Sequence, residues 1–304
     1  MTAFRLLASA CGALLAASVL GGCAAPQPYV TAERLDRGLV VVLPGIEGRG
    51  PLNEAIALGL AEGGVDYAIE LYDWTGWGGP LYNLRNTAEN RRQAERLAGR
   101  IVRYQNALPD RPVVLVGQSG GGAIALWAAE ALPPGRQLDG VVLLAASVSR
   151  GYALDLALDK ARRGIVSFYS KHDLMLLGTA VAGTMDGEFG PSAGRTGFLR
   201  PETPAGGRVD TAYARLIEIA WTEQMANAGH HGGHLTSGAK AFVAEYVAPL
   251  VINEPWDAAL LAEIVGEPAQ TPAPQPQPEP APGPTTAPTT QPAARTATTQ
   301  PAAP

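Results

Sequence analysis

Cysteine is nearly absent from this 304-residue chain: there are two, Cys11 and Cys23, both close to the N-terminus. A disulfide framework is thereby excluded, and the fold must be held by packing alone. An excess of positive charge is missing too. The formal net charge is −5, and phosphate backbones are bound through cationic contacts, so nucleic acid is not an expected partner. A clear membrane span is also lacking, because the apolar stretch from Leu6 to Leu20 is short for a bilayer. From Pro268 onward large apolar residues all but vanish, and Pro, Thr, Ala and Gln take over. Thr-Thr-Gln-Pro-Ala-Ala occurs there at 289–294 and again at 298–303. Such a composition cannot offset its ordering entropy, so 268–304 is expected to be a disordered spacer with no catalytic part.

What is present begins with Arg5, the apolar stretch, and Leu20-Gly21-Gly22-Cys23. This order reads as a secretory signal, and its end resembles the bacterial lipobox, an aliphatic residue three before a cysteine with small residues between. The resemblance implies removal of residues 1–22 and a lipid thioether on Cys23. The chain would then be an exported lipoprotein of the cell envelope, on its periplasmic or surface side, followed by a linker over 23–37.

The middle is organised around Val113-Val114-Leu115-Val116-Gly117-Gln118-Ser119-Gly120-Gly121-Gly122, which runs on into Ala123-Ile124-Ala125-Leu126-Trp127. A β-branched apolar run predicts a buried strand, and the Ala/Leu-rich stretch predicts a helix. Between them stands G-x-S-x-G, in the strand–turn–helix context that a nucleophile elbow requires. A serine on so sharp a turn needs neighbours without a Cβ, and the amides after it open a helix N-terminus, where negative charge is favoured. On these residues the chain resembles the α/β-hydrolase superfamily. The resemblance covers roughly residues 38–252 and implies a three-layer α/β/α sandwich, with a mostly parallel sheet of about six strands in a domain spanning 38–267. The family's early strands are absent, and no large cap domain fits between Gly140–Ala145 and Gly164–Ser170, two further predicted strands.

Gly38 to Leu43 is another continuous apolar run, ending in Pro44-Gly45-Ile46-Glu47-Gly48. The resemblance implies that this loop supplies one oxyanion-hole amide, at Ile46, and that Gly120 supplies the second; an ordinary strand-to-helix turn is the plainer reading. Leu52–Leu60 predicts a helix and Val65–Leu71 a strand. Trp74, Trp77 and Tyr82 follow in a Gly-rich loop and either wall a substrate pocket or merely cover the sheet edge. Asn86 with Glu89 opens an amphipathic helix, whose arginines between Arg91 and Arg103 read as its solvated face.

A serine needs a base, and the base an orienting acid. Four histidines narrow the search: His172, His230, His231 and His234. The family order Ser, Asp, His implies Asp173, just past a strand, with Asp186 as the rival. The base follows a last strand at Arg215–Trp221 and precedes a closing helix at Thr236–Val247. His234 is the choice, with His231 and then His230 behind it. The same histidines would read as a metal site, but two glycines between ligands loosen such a pair, so no metal and no cofactor is expected. The expectation is a serine esterase acting on a small-molecule or lipid ester. The alternatives are an acyltransferase or thioesterase using the same triad, or a binding lipoprotein that has lost turnover.

Overall fold

The computed structural model describes residues 27–201 and 212–266. The expected signal sequence, Cys23 and the 268–304 tail lie outside them. Six strands form one sheet: β1 (Leu39–Leu43), β2 (Ala68–Leu71), β3 (Val113–Gln118), β4 (Gly140–Leu144), β5 (Ile165–Tyr169) and β6 (Leu216–Ala220). Their order is β2-β1-β3-β4-β5-β6, and every pairing is parallel. The strands are Val/Leu runs because both faces are covered, the usual condition of a parallel sheet. Alternate residues therefore feed two cores. Leu39, Val41, Leu115 and Leu143 point to one side; Val40, Val42, Val114 and Val142 point to the other.

The first face is covered by α3 (Thr87–Ala107), α4 (Gly120–Glu130) and α5 (Asp155–Lys160). The second is covered by α1 (Pro51–Glu62), by the segment from Lys240 to Ile252, and by α6 (Ala258–Val265). A three-layer α/β/α sandwich results, and the sheet is wholly rather than mostly parallel. A short helix, α2 (Pro80–Arg85), precedes α3.

Several local expectations need correction. The helix expected over 236–247 is broken into a 3₁₀ turn (Leu235–Gly238), an α-turn (Lys240–Phe242), a π-turn (Val243–Val247) and an α-turn (Ala248–Ile252). Tertiary contact competes with regular winding there: a Cβ on Gly59 of α1 would sit 2.8 Å from Val243 Cβ. Most of the expected linker is packed rather than free. Gln27 donates from Nε2 to Leu71 O at 3.1 Å and accepts from Leu71 N at 2.6 Å. Two residues on, Tyr29 O accepts from Ile69 N, so 27–30 runs along the outer edge of β2, from its carboxyl end towards its amino end. Arg34 then bonds the Val65 and Tyr67 carbonyls, and Leu35 is fully buried. The segment shields an edge that would otherwise expose unpaired amides.

The arginines of α3 are not all solvated. Arg91 lies over the Trp127 ring, and Arg100 pairs with buried Glu70 at 2.5 Å. Burial raises the Glu70 pKa, and the Arg100 guanidinium opposes that rise only in part.

Candidate active site

The chain passes from β1 to β2 in one direction and returns to β3 on the other side of β1. The crevice at the carboxyl ends of β1 and β3 is therefore the topological switch point of the sheet, where open α/β sheets bind ligands. The loop after β1 and the turn after β3 meet there.

Steric exclusion shapes that turn. A Cβ on Gly117 would stand 2.5 Å from Gly121 O, and one on Gly121 would collide with Leu43 O at the end of β1. With both side chains reduced to hydrogen, α4 starts immediately against the strand ends. Ser119 sits between them at φ 53° and ψ −118°, a region that costs a non-glycine residue of order 1–3 kcal/mol. Three bonds hold it there: Ser119 N donates to Leu144 O at 2.9 Å, and Ser119 O accepts from Gly122 N and Ser147 N, each at 3.0 Å.

The strained backbone presents Ser119 Oγ to His234, whose Nε2 lies 2.8 Å away. On the far side of the ring, His234 Nδ1 stands 2.7 Å from Asp173 Oδ2. Asp173 ends the turn after β5, where its amide bonds Ser170 O. Its second oxygen accepts from Leu176 N at 2.9 Å, so both carboxylate oxygens are occupied. His234 opens the Leu235–Gly238 turn, and its carbonyl accepts from Ser237 Oγ at 2.7 Å. All three side chains are buried or nearly so: Ser119 is 6% exposed, His234 8% and Asp173 1%. Bulk water is thereby kept from competing for the relay.

The other candidates lie elsewhere. Asp186 Oδ1 accepts from Ser149 N at 2.9 Å and from Thr184 Oγ1 at 2.6 Å, which spends it on loop structure. His231 is exposed. His230 is buried beside Phe242, with Nδ1 3.1 Å from Thr236 Oγ1. Burial lowers its pKa to about 4, against the raising influence of Asp173, so it is neutral at ordinary pH. His172 packs on Trp221. Among the described residues no cluster of three metal-ligating side chains occurs, and no helix is long and apolar enough to cross a membrane.

The loop after β1 brings Ile46 against Gly120: a Cβ on that glycine would be 2.9 Å from Ile46 Cγ2. The two amides that could face one oxyanion thus belong to touching residues. The loop is pinned from outside by Asn83 of α2, whose Nδ2 donates to Ile46 O at 2.8 Å while its Oδ1 accepts from Gly76 N at 2.9 Å. Asn90 of α3 in turn donates to Asn83 O at 2.6 Å. Neither asparagine stood out in the sequence, where only a polar residue on an otherwise apolar helix face would have flagged them.

The three aromatic residues divide. Trp74 is buried, donates from Nε1 to Pro44 O at 2.7 Å and lies under Gly120, so it supports the loop. Tyr82 is half-exposed and packs against Gly78. Trp77 is wholly exposed and walls no pocket.

No protein-family model and no curated protein matches the chain. Among solved structures it is similar to TT1662 from Thermus thermophilus, at 18% identity and a TM-score of 0.40, over 68% of this chain and 85% of that one. The chemistry of the site therefore has to be read from its own geometry.

Proposed function

We propose that the chain is a serine hydrolase of the α/β-hydrolase type that cleaves carboxylic esters, with Ser119, His234 and Asp173 as its triad. The observation that carries this reading is the continuous relay from Oγ through the imidazole to a carboxylate, at 2.8 and 2.7 Å, on a strained turn at the sheet's switch point. A buried serine that merely filled space would need neither the strain nor the imidazole.

In this reading Ser119 Oγ attacks the ester carbonyl as its proton passes to His234 Nε2. Asp173 accepts from Nδ1–H, which fixes the tautomer and stabilises the imidazolium. The Ile46 and Gly120 amides receive the tetrahedral oxyanion, each donor contributing about 3 kcal/mol to the barrier reduction. The imidazolium returns its proton to the leaving alcohol, and water activated by His234 then releases the acid from Ser119. The lipobox-like Leu20–Cys23 supports anchoring through a lipid on Cys23, and mass spectrometry of the mature N-terminus tests that part.

A fluorophosphonate probe tests the chemistry. Labelling at Ser119 that disappears in Ser119→Ala is the expected result, and an unlabelled native protein overturns the assignment. Product analysis with added alcohols or amines separates hydrolysis from acyl transfer.

A further inference from the structure

Thirteen large apolar side chains are exposed among the described residues, and nine of them fall in three stretches at the carboxyl edge of the sheet: 77–82, 174–189 and 235. Trp77 (100% exposed) and Leu81 (62%) flank the crevice on the β2 side. On the β5 side the segment after Asp173 turns Leu174, Leu177, Val181 and Phe189 outward, each more than half exposed. Leu176 and Thr179 from the same segment are buried, so it is seated on the fold and presents its apolar residues by design of its winding. From Leu174 to Met185 it contains no charged residue. An apolar rim of this kind marks an interaction surface.

The path of the N-terminal segment says what covers it. Gln27 is bonded to Leu71, the last residue of β2, so the chain enters the fold at the carboxyl edge. Cys23 lies four residues earlier, a reach of at most about 14 Å. A lipid on that cysteine would hold the carboxyl end of β2 within this distance of the bilayer.

We propose that the apolar rim around Ser119 docks onto the lipid surface that anchors the chain, so that the crevice opens against the membrane and draws its ester substrates from it. An apolar contact beside a lipid anchor adds buried area to the attachment and fixes the orientation of the domain on the surface. The inference rests on the lipoprotein reading above and deepens it from location to orientation.

The test uses the full processed chain in vesicles of phosphatidylethanolamine and phosphatidylglycerol, with an environment-sensitive fluorophore on Val181→Cys and, separately, on Pro134→Cys at the opposite edge. Both positions are exposed, and Cys23 is blocked by its lipid. The expected result is a blue shift, with quenching by lipid-borne quenchers, at 181 and not at 134. No shift at 181 in protein that sediments with the vesicles overturns the docking, and so does an equal shift at both sites. An equal shift at 181 in vesicle-free protein points to self-association or a protein partner and also overturns it. Fluorophosphonate labelling and N-terminal mass are read on the same samples, so a failure of the hydrolase or lipoprotein reading is seen separately. In a second arm, Leu177→Glu with Val181→Glu is expected to lose turnover of long-chain esters held in vesicles while keeping that of short soluble esters. Equal retention of both overturns the proposal.

Discussion

The two edges of the sheet are built on different principles. At the amino edge, charge does the fastening: Arg111 bonds Asp36, Arg162 bridges Asp139 and Glu254, and Arg37 pairs with Asp66 at 3.1 Å. Arg163 adds bonds to the carbonyls of Leu250, Val251 and Asn253. The ion pairs of this edge are exposed enough to be individually weak. At the carboxyl edge the backbone is strained at Ser119, the Ser119, His234 and Asp173 side chains are buried and bonded to one another, and most of the exposed large apolar side chains stand there. Stability is spread over many small contacts at one edge, while at the other a few contacts hold a hydroxyl, an imidazole and a carboxylate in line.

The contrast predicts unequal responses to substitution. Ser119→Ala or His234→Ala should lower kcat on nitrophenyl esters by about a millionfold, and the double variant should do little further harm, because the groups act as a unit. Asp173→Asn should cost about ten-thousandfold through the wrong tautomer. Gly121→Ala drives a methyl into Leu43 O and should remove about 3 kcal/mol of stability together with activity, seen as a lowered urea midpoint.

Acid should strike the same edge. His230 is neutral in the fold with a pKa of about 4 and takes up its proton near 6.5 when unfolded. The unfolded state therefore binds more protons between these values. Stability is fully present above about pH 6.5 and falls as pH drops towards 4, by up to about 3 kcal/mol. Urea titrations against pH should show that slope, and His230→Phe should flatten it.

Smaller effects come next. Asn83→Ala frees the Ile46 carbonyl and should lower kcat about tenfold with KM little changed, since one misplaced oxyanion donor weakens only the transition state. At the other edge Arg162→Ala should cost about 0.5 kcal/mol and leave kcat untouched; an activity loss there would break the contrast between the edges.

The sequence was most legible where one residue's physics decides the matter. Runs such as Val113–Val116 can only be buried strand, and Ser119 between glycines can only be a cramped turn. It was less legible where distant segments decide. Among three histidines within five positions, only the path of the 229–234 loop across the turn at 170–172 selects His234: a Cβ on Gly232 would lie 3.1 Å from His172 Cβ. The Asn83–Asn90 support and the edge-covering run at 27–30 depend on partners 7 and 44 positions away, and the broken closing helix on Gly59, far earlier in the chain. No local pattern announces them.

The close fit of Gly121 beneath the end of β1, with Ile46 resting on Gly120, has a kinetic consequence. In the proposed reaction, nucleophile and anion receptor are parts of one packed block, so the receptor exists before any substrate arrives and no closure step has to assemble it. Rapid mixing with an activated ester should accordingly show alcohol release that starts at its full rate, with no preceding lag.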